Sequence, residues 1–182
     1  MTTKKYELTS ETMITPLGRV LYRIKALRDF NDVKTGDLGG WLEKEENLSH
    51  DGNAWVYGDA WVYGNAEVYG NARVYGNAWV YGNARVYGNA RVYGNACIVG
   101  QSSWFMASCV GGENGTLTAY LTKDNTVEIT RGCFSGSLDE FKSQVESVHK
   151  DKNPEIYVQY ILIAQLIELK FKNARVGART NK

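Results

Sequence analysis

Few residues of this chain have the type and spacing that catalysis or metal binding requires. The two histidines lie far apart in the sequence: His50 is expected in a turn, and His149 at the C-terminal end of a helix. The three cysteines, Cys97, Cys109 and Cys133, show neither metal-ligand nor redox spacing, which favours reduced thiols. Cys133 could act as a nucleophile, but the sequence identifies no partner histidine for it. We therefore expect no catalytic residue, no metal and no cofactor.

Arginine, tryptophan and tyrosine recur instead within one repeated segment, residues 55–102. It reads as eight consecutive six-residue units of the form x-Val-Tyr-Gly-Asn-Ala, and the last unit, 97–102, has drifted. Four residues of each unit alternate small, variable, β-branched and aromatic, which is typical of a strand with one buried face. The Gly-Asn or Gly-Asp pair then supplies a turn. Ala and Val should point inward, Tyr and the variable residue outward, and successive coils should pair in parallel.

This pattern resembles the hexapeptide-repeat family, in which an aliphatic residue is followed four positions later by a small one. Val56 with Ala60 and Val74 with Ala78 show the match. The resemblance implies a left-handed parallel β-helix with three sides, about eighteen residues per coil, and usually a trimer. We therefore expect a mainly β fold, with a small N-terminal β cap and a C-terminal α+β oligomerisation domain.

Stacking at about eighteen residues per coil separates the outward side chains into three unlike sides. The first side combines Trp, Tyr and Arg, and a further Arg lies on the third side. Guanidinium groups fork onto phosphates and aromatic faces stack on bases, which predicts a ligand-binding surface. Its residues are Trp55, Tyr57, Arg73, Tyr75, Arg91 and Tyr93, with Arg85. In the alternative interpretation, the same ladders stabilise an exposed sheet without any ligand.

Two further features predict contacts between subunits. The second side carries Trp61 and Trp79 and should be adhesive. A helix that starts at Asn153-Pro154 is apolar on nearly every side, and a domain of about 65 residues can hardly bury it alone. We expect this helix to contact other subunits through Ile156, Tyr160, Ile163 and Ile167.

The regions around the repeat predict four segments. Residues 1–46 read as the N-terminal β cap that covers the open end of the coil. Residues 47–113 read as the β-helix, since a faint six-residue register after Ser102 favours one more coil. Residues 114–172 read as a β-hairpin and two helices, the first beginning at a capping box formed by Ser137 and Glu140. Residues 173–182 read as a basic, flexible tail.

Composition narrows the possible partners. A formal net charge of +1 argues against a protein that coats nucleic acid in general. No apolar run reaches membrane-spanning length, and the first residues lack the apolar core of a secretory signal. We expect a cytoplasmic location in a bacterial host cell.

The resemblance also bears on activity. Many hexapeptide-repeat proteins are acyltransferases, in which a loop that bulges from the coils usually carries a catalytic histidine. This chain departs from that pattern, because residues 55–102 contain neither an insertion nor a histidine. The layout of 38–48 and 132–141 around the repeat also resembles proteins encoded by bacteriophages and prophages.

Three hypotheses follow. The first is a non-enzymatic, oligomeric (usually trimeric) binding protein that sequesters a small anionic ligand. The ligand would be a nucleotide signal of host immunity, such as a cyclic nucleotide or an ADP-ribose derivative. By binding this signal, the protein would counter the defence of the host. The second is a structural or adaptor protein that binds a host protein. The third is an acyl-CoA-dependent acyltransferase.

Overall fold

A computed structural model describes the backbone of residues 4–177 and the side chains of residues 4–172. The chain divides into two units, Met1–Gln101 and Ser102–Lys182. Of the predicted flexible tail, 173–177 belong to a helix, and 178–182 lie outside the described residues. Among the described residues, no helix combines the length and the apolar character needed to span a membrane.

The first unit begins with three antiparallel strands, β1 (Tyr6–Ile14), β2 (Val20–Ala26) and β3 (Leu38–Leu42). Strand β3 then pairs in parallel with a strand of the repeat, with Trp41 opposite Trp61. The N-terminal segment therefore continues one side of the coil.

Eight two-residue strands, β4 to β11, form the repeat. They are Trp55–Val56, Trp61–Val62, Glu67–Val68, Arg73–Val74, Trp79–Val80, Arg85–Val86, Arg91–Val92 and Cys97–Ile98. They stack in parallel on three sides, in the orders β4-β7-β10, β5-β8-β11 and β6-β9. Trp55 lies opposite Arg73, and Arg73 opposite Arg91, which confirms the predicted register. The chain is thus a parallel β-solenoid; its left-handed sense stays a prediction.

The alternating pattern of each unit determines what lies inside the solenoid. Val74 and Ala78 are fully buried, as are their equivalents through most of the coils. The corner glycines from Gly52 to Gly94 have a positive φ, and those from Gly52 to Gly76 lie close to the glycine of the next coil. A Cβ on Gly70 (φ 71°) would lie 3.1 Å from the backbone N of Gly88, so this corner requires glycine for both conformation and space.

The second unit is a four-stranded antiparallel sheet followed by two helices. Its strands are β12 (Trp104–Val110), β13 (Gly115–Leu121), β14 (Val127–Arg131) and β15 (Phe134–Ser137), in sequential order. The helices are α1 (Leu138–His149) and α2 (Pro154–Gly177). The predicted hairpin, the two helices and the capping box of Ser137 with Glu140 are confirmed.

The further coil predicted after Ser102 is wrong. Trp104–Val110 forms an antiparallel strand that pairs with β13, with Trp104 opposite Tyr120. The six-residue register there is faint because the segment no longer carries the Gly-Asn corners that turn the chain.

Candidate ligand-binding site

The tyrosines of the first side stack on one another. The rings of Tyr57 and Tyr75 have centroids 4.3 Å apart, and those of Tyr75 and Tyr93 are 4.7 Å apart, both pairs nearly parallel. Both faces of the central ring are thus covered by neighbouring rings. This arrangement matches the interpretation in which the ladder stabilises the sheet.

Trp55 is in register with Arg73, at the position predicted to point outward, but it is only 1% exposed. The rings of Phe30 and Tyr6 meet the indole edge to face, with centroids 5.3 and 6.1 Å away. The N-terminal segment therefore covers the start of the first side, and this indole cannot stack on a base.

Arg73 is also engaged by the N-terminal segment. Its guanidinium group donates to both carboxylate oxygens of Asp32, over 3.0 and 2.8 Å, and to the hydroxyl of Tyr75 over 3.0 Å. The hydroxyl of Tyr57 donates to the same carboxylate over 3.0 Å, and burial raises the pKa of Tyr57. The charge that was expected to attract a phosphate is therefore balanced within the chain.

The remaining arginines of the predicted surface lie apart from a closed site. Arg85 pairs with Glu67 on the third side, Nε to Oε2 3.5 Å. Arg91 is an exposed residue of β10 on the first side. The structure does not bring these residues together into a cavity with Arg73.

The second side and the last helix give mixed results for the predicted oligomer contacts. Trp61 and Trp79 stack on each other at 4.9 Å and stay partly exposed. In α2, Tyr160 and Ile167 are buried in the core of the second unit, and Ile156 and Ile163 pack against that core. The chain itself therefore covers most of the helix face predicted to contact a partner.

His50 is packed inside the first unit. Its ring stacks on Tyr6 at 4.4 Å, and its Nδ1 accepts a hydrogen bond from the backbone N–H of Lys5 over 3.1 Å. The Lys5 side chain is fully buried and donates to the Ala54 carbonyl over 2.8 Å. Burial, with the nearby Arg28 cation, lowers the pKa of Lys5 to about 8. These contacts give His50 a structural role.

The second unit contains a cavity of about 530 Å³. Its walls are the turns before β13 and β15, the second half of α1 and the start of α2. The apolar lining consists of Phe134, Phe141, Val145, Val148, Ile156 and Tyr160, and the polar lining of Glu113, Arg131, Cys133, Gln144, His149 and Asn153. The volume lies within the range of about 300–1,000 Å³ that is usual for small-molecule sites.

Two residues that line the cavity, Arg131 and His149, each have a buried nitrogen without a hydrogen-bond partner in the described part of the chain: Arg131 Nε and His149 Nδ1. Arg131 is held by a bond from Nη2 to the Val110 carbonyl, 2.9 Å, and His149 lies at the end of α1 with its ring 5.7 Å from that of Tyr160. A buried polar atom without a partner costs about 1–3 kcal/mol, so a ligand that reached these nitrogens after the two side chains turned toward the cavity would relieve that cost.

Nothing in the sequence indicated that Arg131, Cys133 and His149 lie together. His149 was expected at a helix end, which is confirmed, and Cys133 was expected without a partner histidine. The structure places both on the wall of one cavity, because the tight turn between β14 and β15, with Gly132 at φ 59°, carries Cys133 to the wall that α1 completes. Among the described residues, no cluster of His, Cys, Asp and Glu has the arrangement of a metal site.

The stacked parallel strands define a β-solenoid repeat protein. Residues 66–82, 78–94 and 84–101 match the family model of the YdcK β-solenoid repeat. The chain is also similar to the "Uncharacterized acetyltransferase YdcK" of Escherichia coli (strain K12), with 38% identity over 61 residues, covering 30% of this chain and 19% of that protein. The match thus spans about a fifth of the relative's length. These similarities support the repeat fold.

Proposed function

We propose that this chain is a non-enzymatic binding protein for a small anionic ligand, and that the cavity of the second unit holds the ligand. The observation that carries the proposal is the pair of buried nitrogens, Arg131 Nε and His149 Nδ1, in two residues that line a largely apolar cavity. Ligand sites typically combine such an apolar lining with a few polar groups that fix orientation.

The lining favours a ligand that has both a flat ring and an anionic group. Phe141 meets Phe134 and Tyr160 edge to face at 5.5 and 5.6 Å, so an aromatic cluster forms one wall. The lining contains one arginine, Arg131, and one glutamate, Glu113, and the guanidinium N–H groups of Arg131 suit phosphate oxygens. A cyclic nucleotide or an ADP-ribose derivative combines these features. Sequestering such an immune signal in the bacterial cytoplasm, to the benefit of a phage, is the role that we propose.

Calorimetry of the full chain against cyclic nucleotides, ADP-ribose derivatives and acetyl-CoA tests the proposal. We expect saturable binding of a nucleotide-type ligand, loss of binding in His149→Ala, and unchanged binding in Arg91→Ala on the solenoid. Absence of binding across the panel, or loss of binding in Arg91→Ala alone, would contradict it.

The acyltransferase alternative has one supporting observation, the similarity to a protein whose name includes acetyltransferase. Against it, His50 is packed on Tyr6. Binding of acetyl-CoA together with acetyl transfer that is lost in His149→Ala would favour this alternative over sequestration.

A further inference from the structure

The turn between β12 and β13, residues 111–114, brings a glutamate to the proposed ligand cavity. Glu113 lines the cavity next to Gly112. Within the described part of the chain, its carboxylate has no hydrogen bond and no ion pair. A carboxylate in a site for an anion opposes binding unless the ligand also brings a hydrogen-bond donor to it. Glu113 therefore restricts which anions the cavity accepts.

Helix α2 holds one side of this turn. The backbone N–H of Gly111 donates to Gln159 Oε1 over 2.7 Å. A Cβ at Gly111 would overlap the hydroxyl of Tyr160, and φ is 71° there, so only glycine lets the turn come this close to the helix. The backbone N–H of Asn114 donates to the Gly111 carbonyl over 3.1 Å and closes the turn. The backbone that carries Glu113 is therefore fixed before a ligand binds.

Arg131 holds the other side of the turn. Its Nη2 donates to the Val110 carbonyl over 2.9 Å, and a Cβ at Gly115 would overlap its guanidinium group. The two residues that flank the turn thus both contact Arg131, which puts Glu113 and the guanidinium group at the same end of the cavity. An anionic group that pairs with Arg131 therefore binds close to Glu113.

We infer that Glu113 accepts a hydrogen bond from the 2′-hydroxyl of a ribose, so that the cavity selects ribonucleotides over deoxyribonucleotides; this inference rests on the proposed function. In a nucleotide, the sugar lies between the phosphate and the base. With the phosphate on Arg131 and the base against the aromatic wall, the sugar is the part nearest Glu113. A ribose hydroxyl then pairs with the carboxylate, whereas a deoxyribose covers the carboxylate without pairing with it. Gln159 acts through the turn, as a positioning residue.

Calorimetry of the full chain with cyclic AMP, cyclic GMP and ADP-ribose, and with analogues that lack the 2′-hydroxyl of every ribose, tests this inference. We expect the ribonucleotide that binds to do so at least about 10-fold more tightly than its analogue, the size expected for one hydrogen bond to a charged group. Glu113→Ala should abolish this ratio by weakening the ribonucleotide alone. Its affinity for the analogue should not fall, because a negative charge near the phosphate is lost.

The matched control is Glu11→Ala, at an exposed position of β1, which should keep the full ratio of the two affinities. Equal affinity for the ribonucleotide and its analogue in the wild-type chain overturns the inference and leaves the proposed function intact. A ratio that Glu113→Ala leaves unchanged overturns the assignment to Glu113. Absence of nucleotide binding overturns the proposed function and this inference with it. Circular dichroism verifies that each variant is folded.

The positioning role of Gln159 has a separate test. Gln159→Leu removes the acceptor of the Gly111 N–H and should lower the ratio of the two affinities. Gln159→Glu keeps an oxygen acceptor and should preserve the ratio. A Gln159→Leu protein that keeps the full ratio overturns the positioning role.

Discussion

The first side of the solenoid and the cavity of the second unit are built from similar residues but use them differently. On the first side, Tyr57, Tyr75 and Tyr93 stack on one another, and Arg73 binds Asp32 and Tyr75. Of the residues that line the cavity, Arg131 and His149 have a nitrogen, Nε and Nδ1, that is buried without a partner in the described chain. One surface has satisfied its groups internally, and the other has groups that a ligand could satisfy.

The difference follows from repetition. In a coil with a nearly constant period, most of the tyrosines and asparagines have an identical neighbour one coil away, so aromatic rings stack and amides bond to amides. Asn53 donates to Asn71 over 3.2 Å, and Asn71 to Asn89 over 3.1 Å, in the same way. Repetition therefore favours self-pairing, and the buried nitrogens without a partner in the described chain lie outside the repeat, in Arg23 and His50 before it and in Arg131 and His149 after it.

The largest expected effect concerns the cavity. We predict that His149→Ala weakens ligand binding by about 100-fold, because the ligand loses its contact with a buried nitrogen. The thermal midpoint should change little, since His149 is only partly buried. Calorimetry and thermal unfolding check the two expectations. His149→Asn, which places a polar atom near the position of Nδ1, should recover part of the affinity; equal affinity in all three proteins would show that the cavity is not the site.

The next largest effect concerns Lys5 and pH. Its pKa is about 8 in the folded chain against an ordinary value of 10.5, so between these values the unfolded chain binds more protons. The free energy of unfolding should therefore rise by about 2 kcal/mol from pH 8 to 10. The same contribution is lost when the pH is lowered again toward 8. Above about pH 10 stability should fall, because burial raises the pKa of Tyr6 and Tyr57 and only unfolded tyrosines ionise there. Urea unfolding across this range measures the curve.

Lys5→Met supplies the comparison for the pH curve. It should remove the rise between pH 8 and 10 and keep the fall at higher pH. Parallel curves for wild type and Lys5→Met would exclude Lys5 as the source of the rise.

A smaller effect on stability distinguishes the tyrosine in the middle of the stacked row, Tyr75, from the one at its end, Tyr93. Tyr75→Ala removes stacking on both neighbours and the hydrogen bond from Arg73, whereas Tyr93→Ala removes its stacking on Tyr75. We expect losses of about 2 kcal/mol and about 1 kcal/mol in the free energy of unfolding, respectively. Neither variant should change ligand affinity. A Tyr75→Ala protein of unchanged stability that binds ligand weakly would reverse the roles of the two regions.

The smallest effect concerns the ion pair of Arg73 and Asp32. The side chain of Asp32 is 53% exposed, so solvent screens the pair. We expect Asp32→Ala to lower the free energy of unfolding by about 1 kcal/mol or less, with a smaller loss at high salt. Denaturant unfolding at two salt concentrations measures it. Tighter nucleotide binding in Asp32→Ala would indicate that Asp32 competes with an anion for Arg73.

The sequence predicted those parts of the fold that depend on residues close together in the chain. The period of the repeat determined the register of Trp55 with Arg73, and the capping box at Ser137 determined the start of α1. The cover over Trp55 could not be predicted, because Phe30 comes from a segment without a periodic pattern. The cavity depends on how β14, α1 and α2 pack together, and no spacing in the sequence encodes that packing.

Hydrogen-exchange mass spectrometry with and without the tightest ligand of the calorimetric panel tests the central claim most directly. The cavity assignment predicts ligand-dependent protection in peptides that cover 111–115, 131–134 and 144–160, and unchanged exchange across 55–99. Protection confined to 55–99 would place the ligand on the solenoid and contradict the assignment.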